Sequence, residues 1–145
     1  MKKLLDAKII IPLRYSDWVA NLVPVRNKSG EVRLCVDFIN LNKCSNKDNY
    51  PLPKMEHILQ KITHLDKISM LYGFSGYNQV SIWPKDREKT TLTTPWGTFM
   101  YAKMLFRLMN FGATFQIAMD FAFIGEKDKL LVIYLDDIIV YSTSY

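Results

Sequence analysis

The sequence predicts an α+β fold in which an antiparallel sheet packs on helices. Three stretches have the alternation and polar turns of β-hairpins, and two stretches between them have helical spacing of apolar residues. Strands at both ends with helices between them are typical of this fold class. The chain has 145 residues, 49% of them apolar and 23% charged, which fits one folded domain or a piece of a larger protein.

The first half contains one predicted hairpin and one predicted helix. The stretch "LLDAKII" predicts a short helix that leads to Pro12. In "WVANLVPVRNKSGEVRLCVDF", two apolar strands flank the polar turn Asn27–Gly30, which predicts a β-hairpin. In "NKDNYPLPKMEHILQKI", Pro53 suits a first helical turn. Apolar residues then recur at helical spacing at Met55, Ile58, Leu59 and Ile62.

The second half continues the pattern. "KISMLYGF" predicts a strand that ends at Gly73, and "TTLTTPWGTFMYAKM" predicts a hairpin around Pro95–Gly97. "NFGATFQIAMDFAF" predicts a helix. Its expected packed stripe consists of Phe115, Ala118, Met119 and Ala122. "LLVIYLDDIIVYS" predicts two short strands with Asp136 and Asp137 at their junction.

The charge is unevenly distributed along the chain. The net charge is +5, and all of this excess lies in residues 1–70, whereas residues 71–145 are neutral. A basic half favours a polyanionic partner such as nucleic acid, although an ordinary solvated surface explains so modest a charge equally well.

The sequence predicts an intracellular protein without a membrane span, and it does not distinguish cytoplasm from nucleus. The two cysteines, Cys35 and Cys44, form no CxxC pair, so a zinc site or thiol-rich scaffold is not indicated. Asp6 and Lys8 interrupt the apolar N-terminal stretch that a signal peptide would need. Asp120 interrupts the best candidate for a membrane helix.

The adjacent carboxylates Asp136 and Asp137 lie inside an apolar, β-branched stretch. Burying a carboxylate without a partner is unfavourable, so they are expected at a turn that water or a cation can reach. A hard divalent cation such as Mg²⁺ prefers oxygen ligands, and two-metal phosphoryl transfer uses a further carboxylate. By spacing alone, an Asp-Asp turn is most often only a turn.

The order of several motifs makes the chain resemble a reverse transcriptase of plant Ty3/gypsy-type retrotransposon polyproteins. These motifs are "WVANLVPVRNKSGEVRLCVDFINLNK", "NYPLPKMEHILQKI", "FSGYNQV", "DREKTTLTTPWGTFMYAKM", "GATFQ" and "YLDDIIVYS". The resemblance implies the fingers (roughly residues 1–65 and 83–103) and palm (roughly 66–82 and 104–145) of a right-hand polymerase. The thumb, RNase H and integrase regions are expected to be absent. It also implies an RNA or DNA template-primer and deoxynucleoside triphosphates as partners, with Mg²⁺ or Mn²⁺ as the metal.

The resemblance also implies roles for individual residues. Asp136 and Asp137 match the paired catalytic, metal-binding aspartates, and Tyr77 matches the aromatic residue beneath the incoming sugar. Nucleotide-binding residues are expected at Arg33, Lys28, Tyr77, Phe106 and Gln116. Without the resemblance, a core aromatic would be expected at Tyr77, and a capping or surface amide at Gln116. Basic residues expected to contact nucleic acid are Arg26, Lys43 and Lys47.

One family position differs in a way that bears on catalysis. Family members carry their first catalytic aspartate five residues before the tyrosine that Tyr77 matches. This chain has Tyr72 at that position, in "LYGFSGY". A neutral phenol is a poor ligand for a hard cation. Asp66 lies six residues earlier, about 20 Å along an extended strand, and is too far away to substitute. Metal binding is therefore expected to be weakened.

Further departures from the family pattern accompany Tyr72. The family's Met-Pro-Phe-Gly is "MLFR" here, with Leu105 and Arg107 in place of proline and glycine, and Phe111 replaces a small alanine. We therefore expect an RNA-directed DNA polymerase by family whose present copy is inactive. The alternatives are a non-catalytic remnant that retains weak nucleic-acid binding, and a basic α+β interaction module.

Overall fold

The chain folds into the predicted α+β class with antiparallel sheets. A computed structural model describes residues 1–73 and 76–142, and for Arg33 and Leu34 it describes the backbone alone. The predicted hairpins and the two longer predicted helices are present. The α-helices are α1 Lys2–Asp6, α2 Ile39–Cys44, α3 Met55–Ile62, α4 Pro84–Arg87 and α5 Phe111–Ala122. The strands are β1 Ile10–Pro12, β2 Leu22–Arg26, β3 Val32–Val36, β4 Lys67–Tyr72, β5 Leu92–Thr94, β6 Gly97–Tyr101, β7 Leu131–Tyr134 and β8 Asp137–Ser142.

One compact unit comprises Met1–Asn46 and Asn78–Met109. It contains an antiparallel sheet in the order β1-β6-β5 and the separate hairpin β2-β3. Strand β1 was not predicted, because its partner strand β6 is distant in sequence, so that Ile10 pairs with Tyr101. Proline is acceptable in β1 because β1 is an edge strand. The buried core of this unit consists of Ile10, Val36, Phe38, Leu92, Phe99 and Tyr101.

The second compact unit comprises Lys47–Tyr77 and Asn110–Tyr145. Its antiparallel sheet has the order β4-β8-β7, so β8 is the central strand. On one face, Ile58 of α3 packs with Val132 and Ile139. Helix α5 contacts β7, whose Ile133 side chain is fully buried. This sheet and its two helices hold the hairpin that carries Asp136 and Asp137.

The boundaries of the two units differ from the ranges predicted for fingers and palm. Helix α3 lies in the unit that contains β4, β7 and β8, and residues 78–82 and 104–109 lie in the other unit. The assignment of fingers and palm to parts of this chain stays a prediction.

The predicted packed stripe of α5 was partly wrong. Phe115 is buried as expected, but Ala122 is exposed because it lies at the end of the helix. The buried residues of α5 are Ala113, Phe115 and Gln116. The helix therefore directs one polar side chain, Gln116, into the interior.

Across residues 1–73 and 76–142, none of the helices combines the length and apolarity needed to cross a membrane.

Candidate active site

The Asp136 and Asp137 carboxylates lie on the tight β7–β8 hairpin. Tyr134 pairs with Asp137, so Leu135 and Asp136 form a two-residue loop between the strands. Leu135 has a φ of 53°, in the left-handed region that residues other than glycine rarely adopt. Strained backbone of this kind persists only where its surroundings hold it in place. The hairpin therefore places two carboxylates at its tip at the expense of local strain.

The two carboxylates have different surroundings. Asp137 is exposed, whereas Asp136 is half-buried. The Oδ1 atom of Asp136 is buried and has no hydrogen-bond partner within the part of the chain that the structure describes. Burial, and then the nearby charge of Asp137, raise the pKa of Asp136 above its ordinary value of 3.8. Asp136 therefore has an unsatisfied acceptor where a cation would be favourable.

Tyr72 lies directly beside this pair. In the β4–β8 ladder, Tyr72 is the residue opposite Asp137, and 66% of its surface is exposed. The next residue, Gly73, donates its N–H to the Asp136 carbonyl at 2.6 Å. A Cβ at position 73 would lie 3.2 Å from that carbonyl oxygen, so glycine permits the close approach. A carboxylate at position 72 would thus be adjacent to the other two.

The residues present do not complete a two-metal site. No group of three or more His, Cys, Asp or Glu side chains that could hold a metal ion occurs among the described residues. The orphaned Oδ1 of Asp136 fits a hard cation, whereas Tyr72, opposite Asp137, offers a neutral phenol, which is a poor ligand for such a cation. Within the part of the chain that the structure describes, the hairpin therefore offers two carboxylates to a metal, and the loss of a third stays a prediction.

Gln116 of α5 holds the hairpin from the side. Its side chain is fully buried, and its Oε1 accepts the Leu135 N–H at 3.0 Å. Its Nε2 donates to Asp120 Oδ1 at 3.0 Å, with a longer contact of 3.4 Å to the Ile133 carbonyl. Gln116 therefore contacts the backbone on both sides of Tyr134, which is a structural task that the sequence prediction did not include.

Asp120 is the centre of a polar cluster that sequence reasoning missed. Tyr50 donates its hydroxyl to Asp120 Oδ2 at 2.6 Å, and Lys127 Nζ lies 2.7 Å from Asp120 Oδ1. Burial raises the pKa of Asp120, but the hydrogen bonds from Lys127, Tyr50 and Gln116 outweigh it, so that the net pKa lies below 3.8. An acid inside an apolar helix, four residues after Gln116, was the available signal. We call Tyr50, Gln116, Asp120 and Lys127 the Asp120 cluster.

Comparison with known proteins decides the family. No family model matches the chain. The RNA-directed DNA polymerase homolog of Oenothera berteroana is 35% identical over 111 residues, which cover 77% of this chain and 78% of that protein. This chain belongs to the reverse transcriptase family.

Its relatives include retrotransposon polyproteins, as predicted. The retrovirus-related Pol polyprotein from transposon gypsy of Drosophila melanogaster is 33% identical over 110 residues, covering 76% of this chain. This chain matches 11% of the length of that polyprotein. The foamy viral protease-reverse transcriptase in complex with an RNA/DNA hybrid superimposes with a TM-score of 0.84 and 17% identity, covering 99% of this chain and 19% of that one. At this identity, the structural likeness shows the fold.

The backbone at Arg107 is strained in this reverse transcriptase chain. Arg107, which the resemblance predicts to stand at the glycine of a Met-Pro-Phe-Gly motif, has a φ of 85°. Asn42 bridges the turn, because its Nδ2 donates to the Arg107 carbonyl at 2.7 Å and its Oδ1 accepts the Met109 N–H at 2.8 Å. Phe106, the preceding predicted nucleotide-binding residue, is 55% exposed. The backbone thus has the shape that glycine would supply, with arginine in its place.

Tyr77, the residue predicted to lie beneath the incoming sugar, is half-buried and belongs to a cluster of aromatic rings. Its ring meets Phe111 edge-to-face, with centroids 5.6 Å apart, and Phe111 stacks on Phe115 at 6.1 Å. Phe111 is the residue that the resemblance predicts to replace a small alanine. The larger ring therefore supports Tyr77 from one side.

The remaining predicted residues are basic and lie away from the β7–β8 hairpin in sequence. Arg26 and Lys28 are exposed at the end of the β2–β3 hairpin, and Lys43 and Lys47 are also exposed. Arg33 pairs with Val25 in the same hairpin, and its side chain lies outside the described part of the structure. The roles predicted for these residues, and those of Tyr77, Phe106 and Gln116 towards a nucleotide, stay predictions.

Proposed function

We propose that this chain is the fingers and palm portion of a retroelement reverse transcriptase whose own active site has lost one metal ligand. The observation that carries the proposal is the register of β4 on β8, in which Tyr72 stands opposite Asp137. In this family, the established reaction is RNA-directed DNA synthesis. This chain covers 11% of its gypsy relative, so activity of the whole protein is part of the proposal.

The metal-binding hairpin has a definite task in this proposal. Asp136 and Asp137 would hold divalent cations, Mg²⁺ or Mn²⁺, which neutralise charge on a phosphoryl group during transfer. The chain's own contribution is to keep both carboxylates at the tip of a turn that is tied to Gly73 and Gln116. The foamy viral relative in complex with an RNA/DNA hybrid supports nucleic acid as a partner.

Primer extension tests the proposed impairment. The change at Tyr72 leaves two carboxylates for a reaction that uses three, so we expect no extension of a primer on an RNA template with Mg²⁺ or Mn²⁺. The matched control carries Asp136→Asn and Asp137→Asn, and the unmodified chain should give the same signal as this control. Template-dependent extension above the control would contradict the proposed loss.

Repair of the site makes the test sharper. Tyr72→Asp together with Arg107→Gly restores both family residues, in a fusion with a thumb from a family member. If Tyr72 is the main defect, extension returns in the repaired fusion and stays absent in the unrepaired fusion. Extension by the unrepaired fusion would show that Tyr72 does not abolish catalysis.

A second candidate function is nucleic-acid binding without catalysis. The observation that favours it is the exposure of Arg26, Lys28, Lys43 and Lys47, together with the net charge of +5. Such binding would be independent of sequence. It would weaken steeply with salt, because binding releases cations condensed on the phosphates and this release is less favourable at high salt. Fluorescence anisotropy of a labelled RNA/DNA hybrid at several salt concentrations measures it. Tight binding that salt leaves unchanged would contradict this electrostatic interpretation.

A further inference from the structure

Asp120 lies in helix α5. None of its hydrogen bonds described above involves a residue of the β7–β8 hairpin. It is half-buried, and its side chain is 16% exposed. Three donors surround its carboxylate: the Tyr50 hydroxyl, the Lys127 ammonium and the Gln116 amide. A carboxylate with three directed donors inside a helical packing layer is fixed in orientation.

The carboxylate of Asp120 determines which way the Gln116 amide faces. An ionised carboxylate only accepts hydrogen bonds, so the NH₂ end of Gln116 must face Asp120. The Oε1 end then faces the Leu135 N–H, from which it accepts at 3.0 Å. If the amide were reversed, two donors would face each other at Leu135. Asp120 therefore keeps an acceptor at that N–H.

The acceptor at the Leu135 N–H stabilises a strained part of the turn. Leu135 has a φ of 53°, which is unfavourable for a leucine, so the turn needs contacts that hold it. Asp136 follows Leu135 directly, and Asp137 is the first residue of β8. A change in the Leu135–Asp136 backbone would move both carboxylates together.

We propose that Asp120 is a positioning residue which, acting through Gln116, fixes the Leu135–Asp136 turn and thereby the placement of the Asp136 and Asp137 carboxylates. This inference rests on the proposed function only in treating those carboxylates as metal ligands. Tyr50 supports it by donating to the other carboxylate oxygen, Oδ2, and Lys127 supports it by donating to Oδ1, the oxygen that also accepts from Gln116.

Amide hydrogen exchange, compared between the ¹⁵N-labelled unmodified chain and its Asp120→Asn variant, provides the direct test. In Asp120→Asn, the amide at position 120 no longer enforces the orientation of Gln116, so exchange at the Leu135 N–H should accelerate roughly tenfold. The hydrogen-bonded amides of β7 and β8 should change far less. Equal acceleration throughout both strands would show a merely structural role and would overturn the proposal, as would an unchanged rate at Leu135.

A matched control comes from the neighbouring pair of Asp128 with Lys61. These side chains form an ion pair at 2.5 Å, and both are about half exposed. Asp128→Asn makes the same chemical change in the same unit without a link to Gln116, so the exchange rate at Leu135 should stay within about twofold. A rise equal to that of Asp120→Asn would trace the effect to lost charge and overturn the proposal.

A milder variant covers the case in which Asp120→Asn fails to fold. Tyr50→Phe removes one donor to Asp120 and keeps the ring, so exchange at Leu135 should accelerate roughly two- to fivefold, selectively. An unchanged or uniformly changed exchange pattern in a folded Tyr50→Phe chain would count against the proposal.

A second readout links the turn to metal affinity. In a Tyr72→Asp background, adding Asp120→Asn should weaken Mn²⁺ binding about 10- to 100-fold, and adding Asp128→Asn should not. Unchanged Mn²⁺ affinity upon Asp120→Asn would contradict the positioning role. If Tyr72→Asp alone binds no Mn²⁺, the proposed function fails at Tyr72, whereas exchange at Leu135 still decides this inference.

Discussion

Replacing Arg107 with glycine should stabilise the unit that contains it, although the change removes a whole side chain. Arg107 has a φ of 85°, and left-handed backbone is unfavourable for a residue with a Cβ by about 1–2 kcal/mol. Glycine gains freedom in the unfolded chain, which offsets about 0.4–1 kcal/mol of this benefit. The difference predicts a net stabilisation of about 1 kcal/mol.

The assay can be restricted to the relevant unit. All three tryptophans, Trp18, Trp83 and Trp96, lie in the unit that contains Arg107. Denaturant unfolding followed by tryptophan fluorescence therefore reports on that unit. A gain of about 1 kcal/mol should appear as a higher midpoint with an unchanged slope.

Arg107→Ala is the matched control for this prediction. Alanine removes the guanidinium and most of the side chain but keeps the Cβ that causes the strain, so it should give no gain. The hydrogen bonds from Asn42 to the turn involve backbone atoms of Arg107 and Met109, and both variants retain those atoms. If glycine were no more stable than alanine at position 107, the strain argument would be refuted.

Two further predictions concern single carboxylates in the other unit. Asp136→Asn keeps the buried Oδ1 acceptor but removes the charge that burial disfavours, so it should stabilise the fold by about 1 kcal/mol in circular-dichroism unfolding. Asp137 is exposed, so Asp137→Asn relieves only its repulsion of Asp136 and should stabilise the fold less, and equal effects would contradict the argument. Burial opposes the ionised form of Asp120, but the hydrogen bonds from its neighbours outweigh burial and lower its pKa below 3.8. Its contribution to stability is therefore complete above that pH and is lost as the pH falls through the lower folded pKa. Acid titration should show a shallower loss of stability below pH 3.8 in Asp120→Asn, and an identical slope would refute this.

The sequence predicted the elements that depend on local pattern. The β2–β3, β5–β6 and β7–β8 hairpins and helices α3 and α5 formed where alternation, turn residues or helical spacing indicated them. The family was also predictable, because its motifs occur in order along the chain. Local signals of this kind need no knowledge of distant contacts.

Features that depend on distant contacts were not predictable. Strand β1 exists because Ile10–Pro12 pairs with β6, and no local pattern shows that partner. The bond from Tyr50 to Asp120 joins residues 70 positions apart. For that reason Asp120 was read only as a break in an apolar stretch, and its link to Gln116 was missed.

The candidate site was predicted in part. Sequence reasoning located Asp136 and Asp137 at a turn, and the β4–β8 register places Tyr72 beside Asp137, while the prediction that Tyr72 replaces a metal ligand stays a prediction. It did not show that Asp137 begins β8 while Leu135 and Asp136 form the loop. Which two residues form a tight loop depends on the pairing register, which the side chains alone do not determine here.

A titration with Mn²⁺, followed by paramagnetic broadening of the amide signals of the ¹⁵N-labelled chain, tests the central claim most directly. In the unmodified chain, the signals of Asp136 and Asp137 should broaden only weakly over the Mn²⁺ range that saturates Tyr72→Asp, because a phenol at position 72 is a poor ligand for a hard cation. In Tyr72→Asp, saturable broadening should appear at these two residues and should disappear again on adding Asp136→Asn. Binding at the hairpin of the unmodified chain as tight as in Tyr72→Asp would contradict the account.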